Sequence, residues 1–218
     1  MCHIHNQQMN LQSLRNLINA SFQYVMMTSK KYDIDESHAL SHSMKVFHHT
    51  KSIINAELIQ NPFLLEQKDI IYTSAILHDM CDKKYMDENE GIQFIDKFLS
   101  AHLERHKIDV VKSIITSMSY SKVKTVGYPN LGEYQLAFHI VRESDLLTAY
   151  DVPRCIVYSM FQPGTDYSST IHHVNNLFES RMLQHINDDL FVTEHSKLLS
   201  RKLHIEAKTE LDVINDAL

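Results

Sequence analysis

At 218 residues, 44% apolar and 22% charged, the chain has the composition of a globular protein and the length of one domain. A net charge of −6 excludes any general attraction to nucleic acid or anionic membrane, and no apolar run approaches the roughly 18 residues of a membrane span. Four Gly and four Pro are too few for a turn-rich β fold, and three scattered cysteines (Cys2, Cys81, Cys155) make neither a disulfide framework nor a zinc motif, so an all-α cytoplasmic protein is expected.

The first stretch, MCHIHNQQMN, lacks the apolar core of a signal peptide, and residues 1–10 are expected to be a loose leader ahead of a single helical domain over 11–218. From Leu11 to about Lys30, Leu14, Leu17, Ile18, Phe22, Val25 and Met26 recur every three or four positions, one helix face. YDIDES supplies acidic and capping residues before a second helix from Ser37 to about Ile59, which Asn61-Pro62 ends. A third helix opens at Lys68 or Asp69 and runs into His78-Asp79. Further helices are expected over Glu88–His102 and Val110–Met118. SKVKTVGYPNLGE, residues 121–133, holds two of the four glycines and reads as the clearest loop. Helical pattern returns from Glu133 to about Tyr150. After a second loop, QPGTDYSS, two more helices cover about Thr170–His185 and Thr193–Leu211.

One feature of this pattern points to chemistry. The apolar stripe of the third helix, SAIL, ends in HDMCDKKY rather than in a cap or glycine. A half-buried His-Asp pair costs desolvation energy unless something compensates it, and a metal ion would. Adjacent helical side chains diverge by about 100°, so His78 and Asp79 reach one ion only if it sits near a helix end or is approached obliquely. His42, on the second helix, and Asp145, flanked by Ile140, Val141, Leu146 and Leu147, complete a candidate set of two imidazoles and two carboxylates. Mixed N/O donors suit Mn, Fe, Zn, Co or Ni better than Ca or Mg.

The order His, His-Asp, distant Asp resembles the HD-domain metal-dependent phosphohydrolases, and most of Asp33 to His204 takes part. SHALSHSMKV resembles the family's first motif, with His42 four before Val46. AILHDMCDKKY resembles the His-Asp segment of the small bacterial nucleotide pyrophosphohydrolases of that family, with Asp82, Lys84 and the aromatic Tyr85 in place. VRESDLLTAYDVPR resembles the third motif and ends in Arg154. The chain departs from that subgroup at Ala39, where Asp is usual after His38, in DVPRCIVYSMFQPG, where a glycine-rich stretch is usual, and at Asn175-Asn176, where a Lys is expected.

The resemblance implies a divalent metal ion (Mn, Co, Ni, Fe, Zn or Mg) on His42, His78, Asp79 and Asp145, and hydrolysis of a phosphate ester or anhydride of a nucleotide by metal-activated water. Asp82 would orient the water or carry a proton, and Lys84 and Arg154 would neutralise phosphoryl charge. His38 and His172 are candidate substrate contacts; Lys83 and Arg142 are weaker ones. The remaining histidines read as background in a chain with fifteen, and Cys81 as a buried, inert thiol. A metalloprotease reading of His38-x-x-x-His42 fails, because Ala39 stands where the general-base Glu must be. Two other readings stay open: a metal-stabilised regulatory module without turnover, and a di-iron oxygenase.

Overall fold

The computed structural model describes residues 2–162 and 164–216, and for residues 2–10 the course of the backbone alone. Among them the chain forms ten α-helices and no strand: α1 Cys2–Tyr32, α2 Leu40–Glu57, α3 Lys68–Leu77, α4 Glu88–Leu99, α5 Arg105–Ser117, α6 Tyr120–Val126, α7 Gln135–Thr148, α8 Val152–Met160, α9 Tyr167–Ser180 and α10 Glu194–Asp216. This is the expected all-α class, built as one helical bundle. Met1, part of the expected loose leader, lies outside the described residues; the backbone of residues 2–10 belongs to α1.

Two helices form the centre. Every residue of α3 from Ile70 to Leu77 is buried, and so are eleven residues of α7. A helix apolar on all sides has to be enclosed by others. α3 is covered by α1, α2, α5 and α7, and α7 also packs on α2 and α10. Each fully buried Ile or Leu, such as Ile71, Ile76 and Leu77, contributes about 1.5–3 kcal/mol of transfer free energy. α9 packs on α8.

Besides residues 2–10, which were expected to be loose and instead extend α1, two stretches depart from the expectations. The loop expected at residues 121–133 begins as helix α6. Ser119 caps it by accepting the Lys122 N–H at 3.3 Å, and Val123 is buried. The expected loop properties begin only at Gly127, whose φ of 78° is in the left-handed region that ends helices. α8 forms where no element is expected. Asp151 caps it by accepting the Arg154 N–H at 3.0 Å, and Pro153 sits in its first turn, where no N–H is needed.

No helix among the described residues is long and apolar enough to cross a membrane.

Candidate metal centre

α3 ends at Leu77, and His78 is its C-cap residue. The helix end lets His78 and Asp79 turn toward the same point. α2 brings His42, which is 1% exposed, and α7 brings Asp145. His42 Nε2 lies 3.1 Å from His78 Nε2, 3.2 Å from Asp79 Oδ2 and 3.3 Å from Asp145 Oδ1. His78 Nε2 lies 3.3 Å from Asp79 Oδ2 and 3.6 Å from Asp145 Oδ1. These separations would fit the edges of a coordination polyhedron: at a metal–ligand distance of about 2.1 Å, neighbouring ligands stand about 3.0 Å apart at a right angle and about 3.4 Å apart at the tetrahedral angle. His42, His78 and Asp145 offer ligand atoms within 4.8 Å of one another, a group able to hold a metal ion.

The hydrogen bonds around the cluster support the same use. His78 Nδ1 lies 2.9 Å from the Ala75 carbonyl, which can only accept, so Nδ1 carries a proton. His42 Nδ1 faces Thr148 Oγ1 at 3.5 Å, and that hydroxyl donates its own proton to the Asp145 carbonyl at 2.7 Å. Both imidazoles therefore turn Nε2 inward, as metal-ligating histidines do when their other nitrogen is engaged. Asp79 Oδ2 is buried without a hydrogen-bond partner, although both ring nitrogens are near: the contacts lack hydrogen-bond geometry. An orphaned buried carboxylate oxygen facing two Nε2 atoms fits a cation.

Opposite charges in the cluster act on one another's proton affinity. Burial by itself lowers the His78 imidazole, but Asp79 and Asp145 outweigh it and hold it well above its ordinary value. Burial raises the carboxyls of Asp79 and Asp145, but the two imidazoles outweigh it and hold both well below the carboxylate range. An ion entering this site displaces a proton from imidazole, so its affinity falls as pH falls.

The rim is basic. Arg154, on the first turn of α8, places Nη2 3.4 Å from His42 Nε2 and donates from Nε to the Ser37 carbonyl at 2.6 Å. Lys84 Nζ lies 3.5 Å from His38 Nε2, and the His38 ring stands 6.2 Å from the His42 ring. Asp145 is the most open ligand, with 31% of its side chain exposed.

Other expected residues fall elsewhere. The Asp82 side chain accepts the Lys84 N–H at 2.9 Å on Oδ1, its Oδ2 is 3.9 Å from Lys84 Nζ, and the carboxylate makes no described contact with the four ligands; the Asp82 backbone N–H donates to the Asp79 carbonyl at 3.2 Å. His172 is exposed on α9 and bonds to Asn176 at 3.1 Å; no described contact ties it to the cluster. Arg142 is corrected outright as a phosphate candidate. It is 1% exposed, donates to the Leu190 carbonyl and stacks over Tyr128, so it braces the segment before α10. Lys83 is exposed. Cys81 is buried, and burial pushes its thiol up to about 12, as an inert cysteine requires. A cavity of about 320 Å³ lies between α2, the α7–α8 turn and α10; none of the four candidate ligands lines it, and Thr148, which does, lies beside His42. Thr148, Tyr158, Asp35 and Ser37 stand beside the site without the sequence having marked them as functional, Asp35 and Ser37 reading there only as part of the stretch that opens the second helix. Only the spacing of Thr148, three after Asp145, could have shown it, since i and i+3 share a helix face.

No protein-family model matches the chain, and no curated protein does. Among solved structures, a structural-genomics crystal structure of a protein from Lactobacillus plantarum superposes with a TM-score of 0.69 at 16% identity, over 93% of this chain and 96% of that one. At that identity the likeness is one of fold: the bundle exists, over nearly its whole length, in a crystal structure.

Proposed function

We propose that the protein is a metal-dependent phosphohydrolase of the HD-domain type, acting on a phosphate ester or anhydride of a nucleotide. One observation carries this reading. Two imidazoles and two carboxylates from three separate segments converge within coordination distance, and two cations, Lys84 and Arg154, stand at the rim. A bound divalent ion would supply Lewis acidity to a phosphoryl oxygen and lower the pKa of water. His42, His78, Asp79 and Asp145 would hold it. Arg154 and Lys84 would receive the non-bridging oxygens and neutralise charge as the P–O bond breaks. Asp145 leaves the cluster open on its own side for substrate.

A second reading has one observation in its favour. Asp82, the expected proton carrier, is engaged with Lys84 rather than with the ligands, which suits a metal-stabilised regulatory module that binds without turnover. The di-iron reading has less support, because the described residues hold a single group of candidate ligands.

The test is a panel of nucleoside mono-, di- and triphosphates offered to metal-stripped protein, with Mn, Co, Ni or Mg restored one at a time. Metal-dependent release of phosphate or pyrophosphate, lost in Asp79→Ala, is the expected result. An Asp79→Ala variant that turns over without metal would overturn the assignment. Tight metal binding with no turnover on any substrate would transfer the case to the regulatory module.

A further inference from the structure

The turn between α1 and α2 holds a hydrogen-bonded network that metal ligation leaves unused. Asp33 ends α1 with φ at 52°, and the chain then folds back on the Asp35 side chain. Asp35 Oδ1 accepts from the Ser37 N–H at 2.9 Å and from the Ser37 hydroxyl. Its other oxygen accepts from the Tyr85 hydroxyl. Both hydroxyl protons are thereby committed to Asp35. His38 Nδ1 stands 2.8 Å from Ser37 Oγ and 3.1 Å from Tyr85 Oη, and each of those oxygens can then only accept from it. His38 is fixed as the Nδ1–H tautomer, with a bare Nε2 pointing at Lys84 Nζ.

Both rim cations end on this one turn. Lys84 meets His38 Nε2, and its ammonium lies 5.3 Å over the Tyr158 ring, which itself packs 5.3 Å from the His38 ring. Arg154 meets the Ser37 carbonyl. The two cations come from α8 and from the segment after α3, and the turn before α2 is where the Lys84 ammonium and the Arg154 Nε both find a partner.

We propose that Asp35 is the positioning residue of an anion cradle: through Ser37, Tyr85 and His38 it holds Lys84 and Arg154 at the mouth of the metal centre, where they take the oxygens of a phosphoryl group. This rests on the phosphohydrolase reading. Asp35 is neither a ligand nor a substrate contact. It acts by removing the freedom of two long side chains, and a cation that is already placed gives up less entropy on binding.

Protein loaded with one equivalent of Co²⁺ and desalted is titrated with inorganic phosphate by calorimetry, and the visible bands of the ion report on the ligand set. Asp35→Ala is expected to keep the wild-type bands and to lose about tenfold in phosphate affinity, the scale of one hydrogen bond to a charged group. Tyr85→Phe, which removes one of the two hydroxyl bridges, should lose less, and Asp35→Asn carries the test if the Ala variant does not fold. Wild-type phosphate affinity in the Asp35 variants, with Lys84→Ala and Arg154→Ala impaired, overturns the positioning role and leaves the reading of the site standing. Loss of the bands together with phosphate affinity also overturns it, since Asp35 would then support the ligands instead. A wild-type protein with intact bands that binds no phosphate sinks the phosphohydrolase reading, and the cradle with it.

Discussion

Gly91, in the second turn of α4, sets the distance between that helix and the segment carrying the His-Asp pair. A Cβ there would lie 2.8 Å from Cys81 Cβ, 2.9 Å from Cys81 Cα and 2.9 Å from Met86 Sδ. Met86 can swing aside, but the Cys81 backbone cannot. Ordinary carbon contacts are about 3.5–4.0 Å, so Gly91→Ala requires α4 or residues 79–82 to shift by about 0.7–1.2 Å. Overpacking of this kind costs about 1–3 kcal/mol, which the better helix propensity of Ala offsets by about 0.5–1 kcal/mol. Cys81 is two residues from Asp79, and metal sites hold their ligand distances to about 0.2 Å, so the shift should also be felt as weaker metal binding. Urea unfolding of metal-free protein reads the first effect, and Co²⁺ titration of folded protein the second. A variant more stable than wild type by about the helix-propensity term, with Co²⁺ affinity unchanged, would refute the close approach.

Ion binding should stabilise the bundle, because the ligands join α2, the end of α3 and α7. At about 100 times Kd the gain is about 2.7 kcal/mol, or roughly 5–10 °C in Tm for a chain of this size, measured by thermal unfolding with Mn, Co, Ni or Zn; His42→Ala should abolish it, and an equal shift in that variant would place the ion elsewhere. Stability should also fall in mild acid. Burial pushes the imidazoles of His185 and His139 down to about 4, from an ordinary value of 6.5. Between those values the unfolded chain binds more protons, so their contribution is complete above pH 6.5 and is lost as pH falls toward 4, by at most about 3 kcal/mol for each. His185 is wholly buried with neither ring nitrogen bonded, so His185→Leu should flatten the acid limb of a Tm–pH profile, and an unchanged limb would show that His185 is hydrated in solution.

How much of this was legible in the chain can be judged from particular residues. The spacing of Leu14, Leu17, Ile18 and Phe22 gave α1, and the continuous apolar run of residues 70–77 gave the central α3, because helical periodicity is a local property of sequence. α6 and α8 escaped because their signals are short and mixed with Gly and Pro, which mark helix termini as well as loops. The candidate ligands were visible in their order along the chain. Arg142 was misread because its burial depends on Leu190, forty-eight residues on.

The sequence alone determined the helical class, the helix-end placement of His78-Asp79 and the residue types able to bind a metal. These follow from composition, from 3.6-residue periodicity and from donor chemistry, all of which act within a few residues. Only the tertiary structure decided that His42 Nε2 stands 3.1 Å from His78 Nε2, that Asp82 turns away while Arg154 turns in, and that Asp35 joins the turn before α2 to Tyr85, fifty residues later. Each of those contacts is set by how α2, α3, α7 and α8 pack. Packing depends on the shapes of all the buried faces at once, which no local stretch of sequence encodes.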